Sequence, residues 1–184
     1  MTERGTSETD IRDADSRDAI DDVWDQWHRE RPDIAPESLD VMAAVGRMNR
    51  LRRFIDQTLR TYFARYGLDF SEFDVLATLR RSGGVEGVSA GTLLRSAMVT
   101  SGAITNRVDK LTAKGLVERS VSAEDRRSVL VKLTPEGVKL VDDILVGHLE
   151  NEGRFLAVLD ESERDQLNAL LRKLLIAQGD THLG

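Results

Sequence analysis

Apolar residues recur every three or four positions through most of the chain, and the breaks in that period mark where helices must end. Residues 1–14 carry no such period; they are mainly Thr, Glu, Asp and Gly and read as a disordered acidic tail. Ser16 suits the N-cap of a short helix bearing Ile20, Val23, Trp24 and Trp27, which must end before Pro32. Residues 15–32 are therefore expected to be a separate N-terminal helix. After a hinge at residues 34–37, Val41, Val45, Met48, Leu51, Ile55 and Leu59 keep helical spacing, and Tyr62 and Tyr66 extend it until Gly67 stops the run. This long helix is expected from about Leu39. Residues 70–81 place Phe73, Leu76 and Leu79 on one face and close at Gly83-Gly84. Two shorter helices follow at 89–97 and 100–114, the second ended by Gly115.

At Leu116 the period changes. Residues 116–121 and 129–133 alternate or cluster β-branched side chains, and the polar stretch 122–128 joins them, which predicts a β-hairpin. Thr134-Pro135-Glu136 is a helix start with a hydroxyl cap, Pro at the first position and an acid in the first turn. That helix is expected to reach about Leu159. Asp160 can cap a last one, striped by Leu167, Leu170, Leu171, Leu174 and Leu175. Three helices followed at once by a hairpin give a mainly α (α+β) fold class, with a winged helix-turn-helix at residues 67–134.

In such a fold the helix before the hairpin enters the DNA major groove. On a helical wheel Ile104, Val108 and Leu111 define its buried face. Gly102, Asn106, Asp109, Lys110 and Ala113 lie opposite, with Ser101 and Thr105 on a flank. Small hydroxyl, amide and glycine residues at a helix N-terminus allow close approach to phosphates and base edges. Ser101, Gly102, Thr105, Asn106 and Lys110 are thus candidate DNA contacts. Asp125, Arg126 and Arg127 at the hairpin tip are a second set, because Arg fits a narrow, electronegative minor groove. A solvated charged turn is the plain alternative for the tip.

Charge supports that reading. The net charge is −6, yet residues 1–40 hold 5 basic against 13 acidic residues, while residues 89–133 hold 8 basic against 4 acidic. A basic island in an acidic chain is the asymmetry of a nucleic-acid reader. With no Cys and three scattered His, neither a thiol nucleophile nor a metal site is expected. The carboxylates Glu72 and Asp74 and the imidazole of His148 are not placed in one cleft by the sequence. Gly83-Gly84-Val85-Glu86-Gly87 lacks the ending of a phosphate loop. No enzyme and no cofactor are expected. No apolar run approaches ~20 residues and the start is acidic, so a cytoplasmic protein without a membrane partner is the expectation.

Val99 to Gly137, VTSGAITNRVDKLTAKGLVERSVSAEDRRSVLVKLTPEG, resembles the recognition helix and wing of the MarR (multiple-antibiotic-resistance regulator) family, with its DRR and LTPEG signatures. The resemblance covers about residues 41–175. It implies a homodimer on a palindromic double-stranded operator, with residues 36–66 and 135–178 forming the dimerisation region. The same apolar stripes would also serve an intramolecular core. The stretch IDDVWDQWHRERPD, together with FDVLATLRRSG and TSGAITNRVDKL, is similar to the subgroup with an extra N-terminal helix that answers to urate or to citrate and aconitate. What the resemblance implies there is an effector pocket of Trp27, Asp74, Arg81, Arg107 and Arg119.

Spacing is compatible with that pocket. Asp74 and Arg81 are separated by roughly 10 Å along a helix and about 20° around it, a frame for a small anion. Arg107 stands about 60° off the buried face of its helix, along its edge. Plainer roles exist for each: Arg81 as a helix C-terminal complement, Arg119 as a partner of Asp125, and Trp27 as core. The functional expectation is a ligand-responsive transcriptional regulator, read first as a repressor released by a small anionic metabolite, with an activator left open by the sequence. The alternative is a winged-helix protein-interaction module that binds no specific DNA.

Overall fold

The computed structural model describes residues 17–82, 87–96, 104–121 and 129–182. The chain divides into two compact units, residues 1–57 and 58–184.

In the first unit, helix α1 (Ala19–Glu30) begins at Asp18 rather than Ser16, which lies outside the described residues. Asp18 and Asp21 form a reciprocal capping box, so two otherwise unpartnered backbone N–H groups are satisfied. Arg47 reaches both carboxylates, 2.8 Å from Asp18 and 2.7 Å from Asp21. The Trp24 indole donates to Asp40 at 3.0 Å. Helix α2 (Pro36–Ala64) starts before the expected Leu39, because Pro36 has the φ of a first helical residue and turns the anticipated hinge into the first turn. Gly46 admits the Ile20 side chain: a Cβ there would meet Ile20 Cδ1 at 3.0 Å.

The second unit takes the end of α2, then α3 (Phe70–Arg81), β1 (Val88–Ser89), α4 (Ala90–Ser96), α5 (Ile104–Ala113), β2 (Val117–Val121), β3 (Val129–Leu133), α6 (Pro135–Phe155) and α7 (Glu161–Ala177). Its core is built from Phe63, Leu76, Leu79, Leu93, Leu111 and Ile144, all with essentially no solvent exposure. The hairpin is present, with Val117 opposite Leu133 and Val121 opposite Val129. A strand that the sequence did not announce, β1, pairs antiparallel with β3 and gives the order β1-β3-β2. Helix α6 ends at Phe155, short of the expected Leu159, and Leu156 caps it. Asp160 caps α7 in a box with Glu163.

Helix α7 buries none of its residues in the single chain; Leu170, Leu171, Leu174 and Leu175 are 41–62% exposed. Val41, Val45, Met48, Leu51 and Phe54 on α2 are likewise exposed. Within one chain these stripes are not core. Among the described residues no helix is long and apolar enough to cross a membrane, and no cluster of His, Cys, Asp or Glu is fit to hold a metal.

Candidate nucleic-acid interface

Helix α5 buries Ile104, Val108 and Leu111 against α3 and α4, as the wheel requires. Thr105, Asn106, Asp109 and Lys110 are exposed on the other side. The face therefore presents a hydroxyl, an amide and an ammonium group, the donors and acceptors that read base edges and phosphates. Ser101 and Gly102, expected at the start of this helix, lie outside the described residues, as do Asp125, Arg126 and Arg127 at the tip of the hairpin.

The arms of the wing are braced. Glu118 and Lys132 are opposite one another in the β2–β3 register and form an ion pair at 3.0 Å. Arg119 on β2 reaches across to Asp109 on α5 at 2.5 Å, so its carboxylate partner in the described structure is Asp109. This bond ties wing to helix and places a positive charge beside an acid that would otherwise face DNA phosphates.

The base of the wing is fixed by the LTPEG motif. Thr134 Oγ1 donates to the Gly115 carbonyl at 2.7 Å and accepts from Gly137 N, while Thr134 N donates to the Leu116 carbonyl at 3.1 Å. A Cβ on Gly137 would stand only 2.0 Å from the Leu116 carbonyl oxygen. Glycine is thus needed for the close approach of α6 to the corner between α5 and β2.

The residues expected to form an effector pocket are distributed unevenly. Asp74 is buried on α3, and α3 packs against α5, which carries Arg107. Arg107 Nη1 is buried, with no hydrogen-bond partner among the described residues. A buried guanidinium nitrogen is costly unless it is hydrogen-bonded. Arg81 donates to Thr78 Oγ1 at 3.1 Å and to the carbonyl of Ser96, the last residue of α4. It thus complements a helix C-terminus, one of the plainer roles open to it. Trp27, on α1 of the first unit, is 45% exposed and is not a core residue.

The polar groups considered as enzyme candidates have structural partners. Glu72 accepts from Lys114, and His148 packs beside the stacked rings of Phe63 and Phe73 with Nε2 at 3.3 Å from Glu152. The Lys114–Glu72 pair was not singled out from the sequence. Its one local signal is the Asp69–Glu72 capping box at the start of α3.

A family model described as the MarR family matches residues 66–128, the stretch from the end of α2 to the wing. The transcriptional regulator PecS of Dickeya dadantii is 36% identical over 84% of this chain and 92% of its own length. The chain belongs to the MarR family. Among solved structures, mutant MarR from E. coli complexed with operator DNA has a TM-score of 0.65 at 28% identity, covering 74% of this chain and 96% of that one. BpsR of Bordetella bronchiseptica, whose DNA binding is regulated by 6-hydroxynicotinic acid, has a TM-score of 0.63 at 25% identity, covering 69% and 89%. This MarR-family chain is accordingly a DNA-binding transcriptional regulator with a winged helix-turn-helix.

Proposed function

We propose that this MarR-family chain is a homodimeric repressor that binds a palindromic operator and is released by a small anionic metabolite. One α5 per subunit enters successive major grooves, roughly 34–36 Å apart, and the wings reach the flanking minor grooves. Ser101, Gly102, Thr105, Asn106 and Lys110 are assigned to the helix contacts, and Asp125, Arg126 and Arg127 to the wing. The observation that carries the reading is the exposed polar face of α5 backed by three buried aliphatic residues. The exposed stripe of α7 supports the dimer, since a helix of this length with nothing buried is marginal by itself.

The release step rests on Arg107, whose buried Nη1 has no acceptor among the described residues. An anion seated there, with Asp74, Arg81 and Arg119 around it, would bias the helix that reads DNA. Urate and the citrate and aconitate group are the leading classes. The 6-hydroxynicotinic acid response of BpsR is a further case of a small aromatic acid as effector.

The test is a thermal-shift and duplex-binding panel with urate, citrate, cis- and trans-aconitate and 6-hydroxynicotinate. At a hundredfold excess over its Kd a ligand stabilises by ~2.7 kcal/mol, which for this chain length raises Tm by about 5–10 °C. One of these anions is expected to do so and to weaken duplex binding, and Arg107→Ala should abolish both effects. Anions that all leave Tm unmoved would remove this effector class.

A further inference from the structure

We infer that Lys114, although it belongs to the basic island, is a positioning residue for operator reading and makes no phosphate contact. An ammonium group has three donors. Here Lys114 Nζ lies 2.8 Å from each of Glu72 Oε1, Glu72 Oε2 and the Gly67 carbonyl oxygen. Each of the three donors thus has an acceptor within the chain, although the side chain itself is 37% exposed. The acceptor side is closed. Glu72 is only 4% exposed, and its Oε2 also accepts from the backbone N–H of Asp69 at 3.0 Å in the capping box of α3.

The three acceptors belong to two successive parts of the chain. Gly67, in the left-handed region at φ +67, is the turn that leaves α2, and Glu72 is in the first turn of α3. Lys114 directly follows α5. One cation therefore joins the C-terminal end of the recognition helix to the place where the chain turns from α2 into α3. Leu111 holds that helix by apolar contact, which tolerates rotation and sliding. A directional contact of both carboxylate oxygens of buried Glu72 with one ammonium, whose own side chain is 37% exposed, restricts both. The direction of α5 in the groove is set by this pair, and sequence discrimination depends on that direction more than non-specific affinity does.

The experiment uses the full chain and two duplexes of equal length, one selected by the wild type from a random library and one a permutation of it. Lys114→Met, Glu72→Gln and the charge-neutral double variant Glu72→Met/Lys114→Met are compared with Lys114→Arg. Each single variant is expected to lower the ratio of selected to permuted affinity by about tenfold or more. The slope of log Kobs against log salt on the permuted duplex should stay at its wild-type value. Replacing both members of an ion pair whose carboxylate is buried by apolar groups is often neutral for stability. The double variant should therefore regain Tm without regaining the affinity ratio, because the link to Gly67 is still missing. Lys114→Arg should restore a large part of the ratio.

A Lys114→Met slope smaller by about 0.9 would mean that Lys114 neutralises a phosphate, and the inference would be overturned. Recovery of the ratio together with Tm in the double variant would make the pair merely structural and would overturn it too. Should Lys114→Met not fold, the double variant and Lys114→Arg decide the matter alone. The inference rests on the operator-reading role of α5; if the wild type selects no sequence from the library, that reading fails first, and separately.

Discussion

A Cβ on Gly137 would stand 2.0 Å from the Leu116 carbonyl oxygen, a backbone atom that cannot swing aside. Gly137→Ala is therefore expected to displace α6 from the α5–β2 corner at a cost of about 1–3 kcal/mol, read as a Tm lowered by roughly 2–4 °C for each kcal/mol. Tyr62 makes a second residue-scale prediction. Its hydroxyl donates to the Ile144 carbonyl at 2.8 Å, and burial, together with the neighbouring Tyr66, pushes its pKa up to about 12. The unfolded phenol titrates near 10, so the unfolded chain loses this proton first as pH rises. The contribution is complete below pH ~10 and is lost between about 10 and 12. Tyr62→Phe should flatten that part of an alkaline stability titration and cost about 0.5–1.5 kcal/mol at neutral pH. Of these details the sequence disclosed little. The neighbour of Gly137 lies in the turn between α5 and β2, and Arg119 finds Asp109 only because β2 packs on α5.

At the scale of elements the sequence was far more informative. Residues 70–81 form a helix with the predicted ends, since Asp69 and Glu72 mark its start and Gly83-Gly84 follow its close. The two hairpin strands are also where the β-branched clusters put them. β1 escaped notice because two residues, Val88 and Ser89, are too few to show a period. Its existence depends on β3 offering an edge. The exposed polar face of α5 was legible because Ile104, Val108 and Leu111 leave only the other side for polar residues. The wing prediction belongs here. Arg126→Ala is expected to weaken binding to all duplexes and to reduce the salt slope by about 0.9, measured by titration between 50 and 200 mM salt. An unchanged slope would take Arg126 out of the contact set.

For the whole molecule, what counts is the apolar surface that one chain leaves uncovered. The periodicity of residues 167–175 was equally compatible with an internal core and with a dimer seam, because a helical wheel says which residues share a face and not what covers it. The structure leaves Leu171 and Leu175 41% and 51% exposed. Replacing both by Glu is expected to give a monomer by light scattering, with α7 partly melted in the circular dichroism spectrum and operator affinity strongly reduced. A dimer that survives this change would place the seam elsewhere. The charge distribution was legible as an island, but its available part is smaller than its count. Lys114, Arg119 and Lys132 are all engaged with carboxylates of the same chain.

The threonine and glycine that seat α6 on the corner between α5 and β2 also limit how this regulator can move. With the hydroxyl of Thr134 clasping Gly115 and no room for even a methyl group at Gly137, the base of the wing and the first turn of α6 travel as one stiff lever. A movement of the wing must therefore swing the shaft behind it, and α6 carries such a displacement away from α5 without a flexible joint at its first turn.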